Sequence, residues 1–273
     1  MTAEDEKLNL WIAYMNLESK FGDMKTLQDV VKRALDVNDR KKVYLQLINI
    51  YRGTDKVDFV EDIFKKLCKK YHESLEIWSN YIEFLFEMRA KGGDFTEPKT
   101  ILQRGLQALP KFNHVNIISK FGMLEYKNNN PEHARTMFEG IVSGFPKRMD
   151  IWSIYMDMEV KYGGGKANQA QARHLFERCL SQDEITKKPK KMKLVFRKYM
   201  EFESAMGNEN KLADLRTRVE QYLETTFKAD DSSDAEAGKK DAKMAKEEPA
   251  AEEDDASEEG DDEEGEEEMD SDE

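Results

Sequence analysis

The chain has 273 residues, a length that suits one large domain or two ordinary ones, with 36% charged and 39% hydrophobic residues. Its net charge of −13 is unevenly held: Lys228–Glu273 contains 23 acidic and 5 basic residues, which leaves a mildly basic body of 38 basic and 33 acidic residues. No apolar run approaches the roughly 18 residues of a membrane span, the polar and acidic opening Met1–Leu10 is neither a signal nor a transit peptide, and two distant cysteines, Cys68 and Cys179, exclude a disulfide framework or a zinc finger and fit a reducing compartment.

In chain order the pattern is helical. Trp11 is followed by Tyr14, Leu17 and Glu18, offsets that share one helical face. Gly22-Asp23 marks a turn, and a second helix is predicted over Leu27–Leu35. A looser copy of the first helix, Tyr44, Leu47 and Ile50, precedes a helix over Val60–Leu67. Trp78, Tyr81 and Phe84 restore the motif, with Leu85 in the place of the acid; Gly92-Gly93 follows. Next comes a helix over Ile101–Leu109, with Thr96 before Glu97-Pro98 at its start and Pro110 at its end. Ile118, Phe121, Leu124 and Glu125 lead to Asn130, a candidate cap before Pro131, and to a helix over Ala134–Val142 stopped by Pro146. Trp152, Tyr155, Met158 and Glu159 are followed by the glycine linker Gly163–Gly165 and a helix over Ala172–Leu180. Phe196, Tyr199, Phe202 and Glu203 precede Gly207-Asn208 and a last helix over Leu212–Leu223. No stretch reads as a strand.

The opening positions 11, 44, 78, 118, 152 and 196 lie 33 to 44 residues apart. A repeat of that length built only of helices indicates a solenoid, in which each helix pair is too small to bury its own apolar face and stacking supplies a shared core. Trp11, Tyr14, Trp78, Tyr81, Trp152, Tyr155, Phe196 and Tyr199 are therefore expected in that core rather than as a stacking platform for bases.

The phase Trp-x-x-Tyr-x-x-apolar-Glu lacks the Leu-Gly of a tetratricopeptide repeat and resembles the half-a-TPR (HAT) repeat. Ala172-Arg173 and Leu175–Leu180 resemble its second helix, and Glu18, Glu125, Glu159 and Glu203, with arginines such as Arg33, Arg104 and Arg178, resemble its polar pairs. More closely, Lys7–Glu18, His114–Tyr126, Phe145–Met158 and Lys190–Tyr199 resemble the C-terminal HAT domain of the ribosomal RNA processing protein 5 family, over Lys7 to about Phe227. The resemblance implies an all-α, right-handed α-solenoid of about six HAT pairs over residues 7–227. It also implies a nuclear and nucleolar scaffold for pre-ribosomal RNA cleavage in the small-subunit processome. Its partners would be processome and ribosome-assembly proteins and the pre-rRNA. HAT scaffolds of splicing or of messenger-RNA 3′-end formation are the alternative. That family's N-terminal array of OB-fold repeats has no counterpart in this sequence, so the chain is expected to be a fragment, an incomplete gene product or one half of a split protein. RNA contacts of that array are not assigned to it.

Catalysis finds no support in the sequence. His72, His114, His133 and His174 are scattered, and no phosphate-binding loop, His-Glu-x-x-His or Gly-x-Ser-x-Gly is present. No cofactor, metal site, membrane or small-molecule substrate is expected. The densest basic cluster is Lys187, Lys188, Lys190, Lys191 and Lys193, followed by Arg197, with Lys147 and Arg148 as a weaker patch. It reads equally as a phosphate-binding edge for RNA, a nuclear localisation signal or a solubilising loop. Residues 228–273 contain no Leu, Ile, Val, Phe, Tyr or Trp and cannot offset about 1–2 kcal/mol of ordering entropy per residue. That tail is expected to be disordered, as are residues 1–6, and serves as a solubilising segment or as a nucleic-acid mimic.

Overall fold

The computed structural model describes residues 3–54, 56–164 and 169–225. Its compact units are residues 1–216 and 217–273, and the acidic tail lies outside the described residues. Twelve helices occupy the first unit: α1 Ala3–Phe21, α2 Met24–Val37, α3 Arg40–Gly53, α4 Asp58–Lys70, α5 Leu75–Ala90, α6 Pro98–Ala108, α7 Lys111–Lys127, α8 Pro131–Gly144, α9 Met149–Tyr162, α10 Gln169–Leu180, α11 Asp183–Thr186 and α12 Pro189–Met206. Residues 209–225 are helical as well, and the described residues contain no strand. None of these helices is long and apolar enough to cross a membrane.

The helices alternate as A and B members of antiparallel pairs. α1, α3, α5, α7, α9 and α12 are A helices, and α2, α4, α6, α8 and α10 are B helices. Among the described residues the main packing of each element is on its pair mate and on the adjoining pair, which makes the body an all-α solenoid of HAT repeats. α1 starts at Ala3, earlier than the polar opening suggests; Glu6 there suits the positive end of the helix dipole.

One interlock recurs between successive repeats. The tyrosine three residues after the opening aromatic stacks on a phenylalanine of the preceding B helix: Tyr81 on Phe64 at 4.9 Å, Tyr155 on Phe138 at 5.0 Å and Tyr199 on Phe176 at 4.7 Å, all within 9° of parallel. Such pairs contribute about 0.5–1.5 kcal/mol beyond the area they bury. Gly122 of α7 lets Phe138 lie close; a Cβ there would stand 2.8 Å from the ring.

A second device fixes the turn before an A helix. Trp78 Nε1 donates to the His72 carbonyl at 2.7 Å and Trp152 Nε1 to the Pro146 carbonyl at 3.1 Å, each six residues upstream. The buried indole thereby satisfies its polar atom and pins its own loop.

Helix starts differ in detail from the sequence expectation. Asp23 caps α2, accepting from Thr26 N at 2.7 Å and closing a capping box. The side chain of Asn130 makes no cap bond; it donates to Glu125 at 2.9 Å. Thr96 likewise bonds Glu61 at 2.5 Å. A carboxylate nearby, buried at Glu125 and largely so at Glu61, outcompetes the open helix end for these groups. Gly207 ends α12 at φ +72°, a left-handed cap that a side chain would strain.

Candidate functional site

Eight of the predicted aromatic positions fall into three classes. Trp78, Tyr81, Trp152, Tyr155, Phe196 and Tyr199 are buried. Trp11 is half-buried against the core. Tyr14 is a correction: it is 40% exposed. Tyrosines at this position are buried by the phenylalanine of a preceding B helix, and no described helix lies against that side of α1.

The acid seven residues after the opening aromatic is buried in three A helices, at Glu125, Glu159 and Glu203. A carboxylate survives such burial only with donors around it. Arg135, in the second turn of α8, reaches Glu159 with Nε at 2.9 Å and Nη2 at 2.7 Å, and Tyr126 Oη donates to it at 2.6 Å. Arg173, at the same place in α10, holds Glu203 with Nε at 2.6 Å and Nη2 at 3.0 Å. Glu125 is held by Asn130 and by His133 Nδ1 at 3.1 Å, with Arg89 at 3.7 Å. Glu18 is half-buried and makes no ion pair among the described residues.

The arginines expected as partners of these acids are not their partners. Arg33 lies over the Trp11 ring at 5.4 Å, Arg178 lies over Trp152 at 5.2 Å while pairing with Glu139, and Arg104 touches none of the acids. Antiparallel packing brings the end of an A helix to the beginning of a B helix. An acid late in A therefore meets an arginine early in B, and an arginine late in B meets the aromatic that opens A.

A cleft of about 410 Å³ between α8, α9 and α10 is lined by Arg135, Glu139, Tyr155, Glu159, His174 and Arg178. Its charged groups neutralise one another, Arg135 with Glu159 and Arg178 with Glu139. Cys68 and Cys179 are buried, and burial pushes each thiol up to about 12, well away from reactive thiolate.

The basic residues form the exposed site. α10 ends at Leu180, the short helix α11 anchors its loop with the buried Ile185, and Pro189 opens α12. Met192, Val195 and Phe196 face the core, which turns Lys190, Lys193 and Arg197 to solvent beside Lys187 and Lys188. The structure joins the second, weaker patch to this one. Lys191 Nζ donates to the Lys147 carbonyl at 2.7 Å, and Lys147 Nζ pairs with Glu184 at 3.0 Å. Hydrogen bonding to Lys147 holds the Glu184 carboxyl below its ordinary range, and the charges of Lys187 and Lys188 add to that pull. Arg148 is engaged bidentately by Asp150, at 3.0 and 2.5 Å, and Arg197 lies 3.9 Å from Glu201. Lys190 and Lys193 make no ion pair with any described residue. The edge therefore offers free ammonium groups on rigid helical backbone, suited to phosphate oxygens rather than to base edges.

A family model described as PRP39 N-terminal HAT repeat matches residues 106–229. The Protein RRP5 homolog of Mus musculus is 33% identical over 226 residues, covering 83% of this chain and 12% of that protein. The rRNA biogenesis protein rrp5 of Schizosaccharomyces pombe is 36% identical over 220 residues, covering 81% of this chain and 12% of that protein. The pre-mRNA-splicing factor syf1 homolog of Drosophila melanogaster is 27% identical over 176 residues, covering 63% of this chain and 17% of that protein. The chain thus spans 12% of the length of these two RRP5 relatives.

Proposed function

The chain carries an RRP5-like HAT-repeat region, and from that premise we propose that it is a non-catalytic scaffold of ribosome biogenesis. It works in the nucleus, at the nucleolus, within the small-subunit processome. The observation that carries this reading is the identity of 33–36% with RRP5 proteins over more than four-fifths of the chain. A solenoid supports it mechanistically, because stacked repeats present long surfaces on which assembly proteins are held in fixed order.

In this reading Lys187, Lys188, Lys190 and Lys193, with Arg197 at the flank, contact phosphates of the pre-rRNA and add affinity without choosing sequence. Lys147, Arg148 and Lys191 support the edge through their own pairings. Reversing Lys190 and Lys193 together to glutamate is expected to weaken binding of a single-stranded pre-rRNA fragment. It should also flatten the dependence of log K on log salt by about 1.4, two contacts' worth. An unchanged slope in fluorescence anisotropy would assign the RNA to another surface.

The acidic tail competes with RNA for this edge through its charge. Deleting residues 228–273 should tighten RNA binding at low salt and leave it unchanged at high salt, where screening removes the competition. Equal affinities for both chains across the salt series would remove the tail from this role.

The alternative is a splicing scaffold, for which the match to the syf1 homolog is the favouring observation. Tagging the intact gene product and sequencing the RNA that sediments with it in nuclear extract decides between them. Enrichment of pre-rRNA supports ribosome biogenesis; enrichment of spliceosomal RNA without pre-rRNA overturns it.

A further inference from the structure

The outer face of α1 carries Leu10, Tyr14, Leu17 and Phe21, which are 74%, 40%, 54% and 84% exposed. Their spacing of four, three and four residues makes one continuous apolar stripe. The inner face of the same helix is already used, with Met15 fully buried. At the positions matching Leu10 and Tyr14 in three other A helices stand Ile77, Ile151 and Val195, and Tyr81, Tyr155 and Tyr199; none is more than 5% exposed. What covers them is the preceding B helix, α4, α8 or α10.

We propose that this stripe is a docking surface for a partner helix of B type, one with the pattern Ala-Arg-x-x-Phe-Glu. Of the three B helices that precede an A helix bearing the late acid, α6 lacks this pattern, with Leu102 and Gly105 at the arginine and phenylalanine places; its A helix has Phe121 for the tyrosine, and Glu125 is held by Asn130 and His133 instead. The pattern is that of the other two, which meet an A helix bearing both the tyrosine and the acid: Ala134-Arg135 with Phe138-Glu139, and Ala172-Arg173 with Phe176-Glu177. In both, the phenylalanine stacks on the A-helix tyrosine and the arginine three residues before it takes the buried glutamate. α5 provides the contrast within the same molecule. It has Leu85 in place of the acid, and the preceding B helix has Glu61, not arginine, three residues before Phe64. α1 has both halves of the receptor, Tyr14 to stack and Glu18 to pair, and Glu18 has no ion pair among the described residues.

Charge and shape together select the occupant. A purely apolar helix would leave Glu18 covered and unpaired, which is costly. A second copy offering its last helix is a poorer fit, because that helix places Val219 three residues after Arg216, where the stack requires phenylalanine. Docking of an amphipathic helix into such a surface is a common recognition mode, and here it continues an interface the solenoid already uses.

The test uses the full 273-residue chain and a hydrocarbon-stapled peptide of the α10 sequence Gln169–Leu180 carrying Cys179→Ala. Saturable binding is expected by anisotropy, and Leu17→Asp in the chain should weaken it about tenfold or more. Leu17 is exposed, so circular dichroism should be unchanged. Glu18→Arg in the chain and Arg173→Glu in the peptide should each weaken binding, and the two together should restore it, since contacting charges couple. The proposal is overturned if no saturable binding occurs, if binding is indifferent to Leu17→Asp, or if the swapped pair binds no better than either single change. It is equally overturned if the chain sediments as a dimer that Leu17→Asp dissolves, because the stripe then belongs to a second copy.

Discussion

Glu159→Ala is expected to destabilise the solenoid by about 3–5 kcal/mol, the range for removing one member of a buried pair. Glu159 is the junction of three helices. It accepts from Tyr126 of α7 and from Arg135 of α8 while standing on α9. Arg135 also donates to the Gly163 carbonyl at 2.7 Å, so the same guanidinium ties down the end of α9. Removing the carboxylate leaves a mostly buried cation with only the exposed Glu132 and the Gly163 carbonyl, and takes the acceptor from a buried phenol, at once. The matched control is Glu139→Ala. Glu139 is 38% exposed beside Arg178 and accepts from Tyr155 Oη at 2.8 Å; solvent screens its ion pair, so the loss should stay at about 1–2 kcal/mol, mostly from the phenol left without its acceptor. Urea titration of both variants checks the difference. Equal shifts would mean that Glu159 is hydrated in solution. Replacing the cluster together, with Glu159→Leu, Arg135→Met and Tyr126→Phe, should recover most of the loss, since well-packed apolar groups can replace a buried ion pair.

The solenoid was legible because its determinants are local. An aromatic at five of the six opening positions and Ile118 at the other, a second aromatic or leucine three residues on and an apolar residue after that mark one face of one helix, and the repeat distance reports the pair. The helices after the turns were legible for the same reason: Leu27–Leu35, Val60–Leu67 and Ala134–Val142 each lie inside an observed B helix. The misses are features that need two elements at once. Arg178 stands in the sequence as plausibly as Arg173, yet only antiparallel end-matching shows which arginine reaches Glu203. Tyr14 has the spacing of a core residue, but its burial depends on a neighbour that a one-dimensional pattern does not contain. Lys147 and Lys191 lie 44 residues apart and read as separate patches until the loop between α8 and α9 is folded beside the start of α12. The indole bonds to carbonyls six residues upstream left no signal either, because they depend on how a loop turns, not on which residues it contains.

Trp152→Ala should destabilise the solenoid by about 3–5 kcal/mol, through lost burial and the cavity left behind. The side chain is almost fully buried, roofed by Arg178 and anchored through Nε1 to the Pro146 carbonyl. Trp11→Ala should cost clearly less, because that ring is half-buried and part of its surface is already in water. Thermal and urea melts of the two variants give the comparison, and equal losses would contradict the difference in burial. Trp152→Phe separates packing from the hydrogen bond. It keeps an aromatic ring and gives up the N–H, so a further loss of about 1 kcal/mol is attributable to the unpaired carbonyl and its loosened loop. That loop carries Lys147, whose carbonyl receives Lys191 at the start of α12. The same variant should therefore weaken RNA binding at the basic edge although the changed residue touches no solvent-facing lysine. If Trp152→Phe lowers stability but leaves RNA affinity at the level of the unaltered chain, the loop does not set the geometry of the edge, and Lys187, Lys188, Lys190 and Lys193 act from α12 and its preceding turn alone.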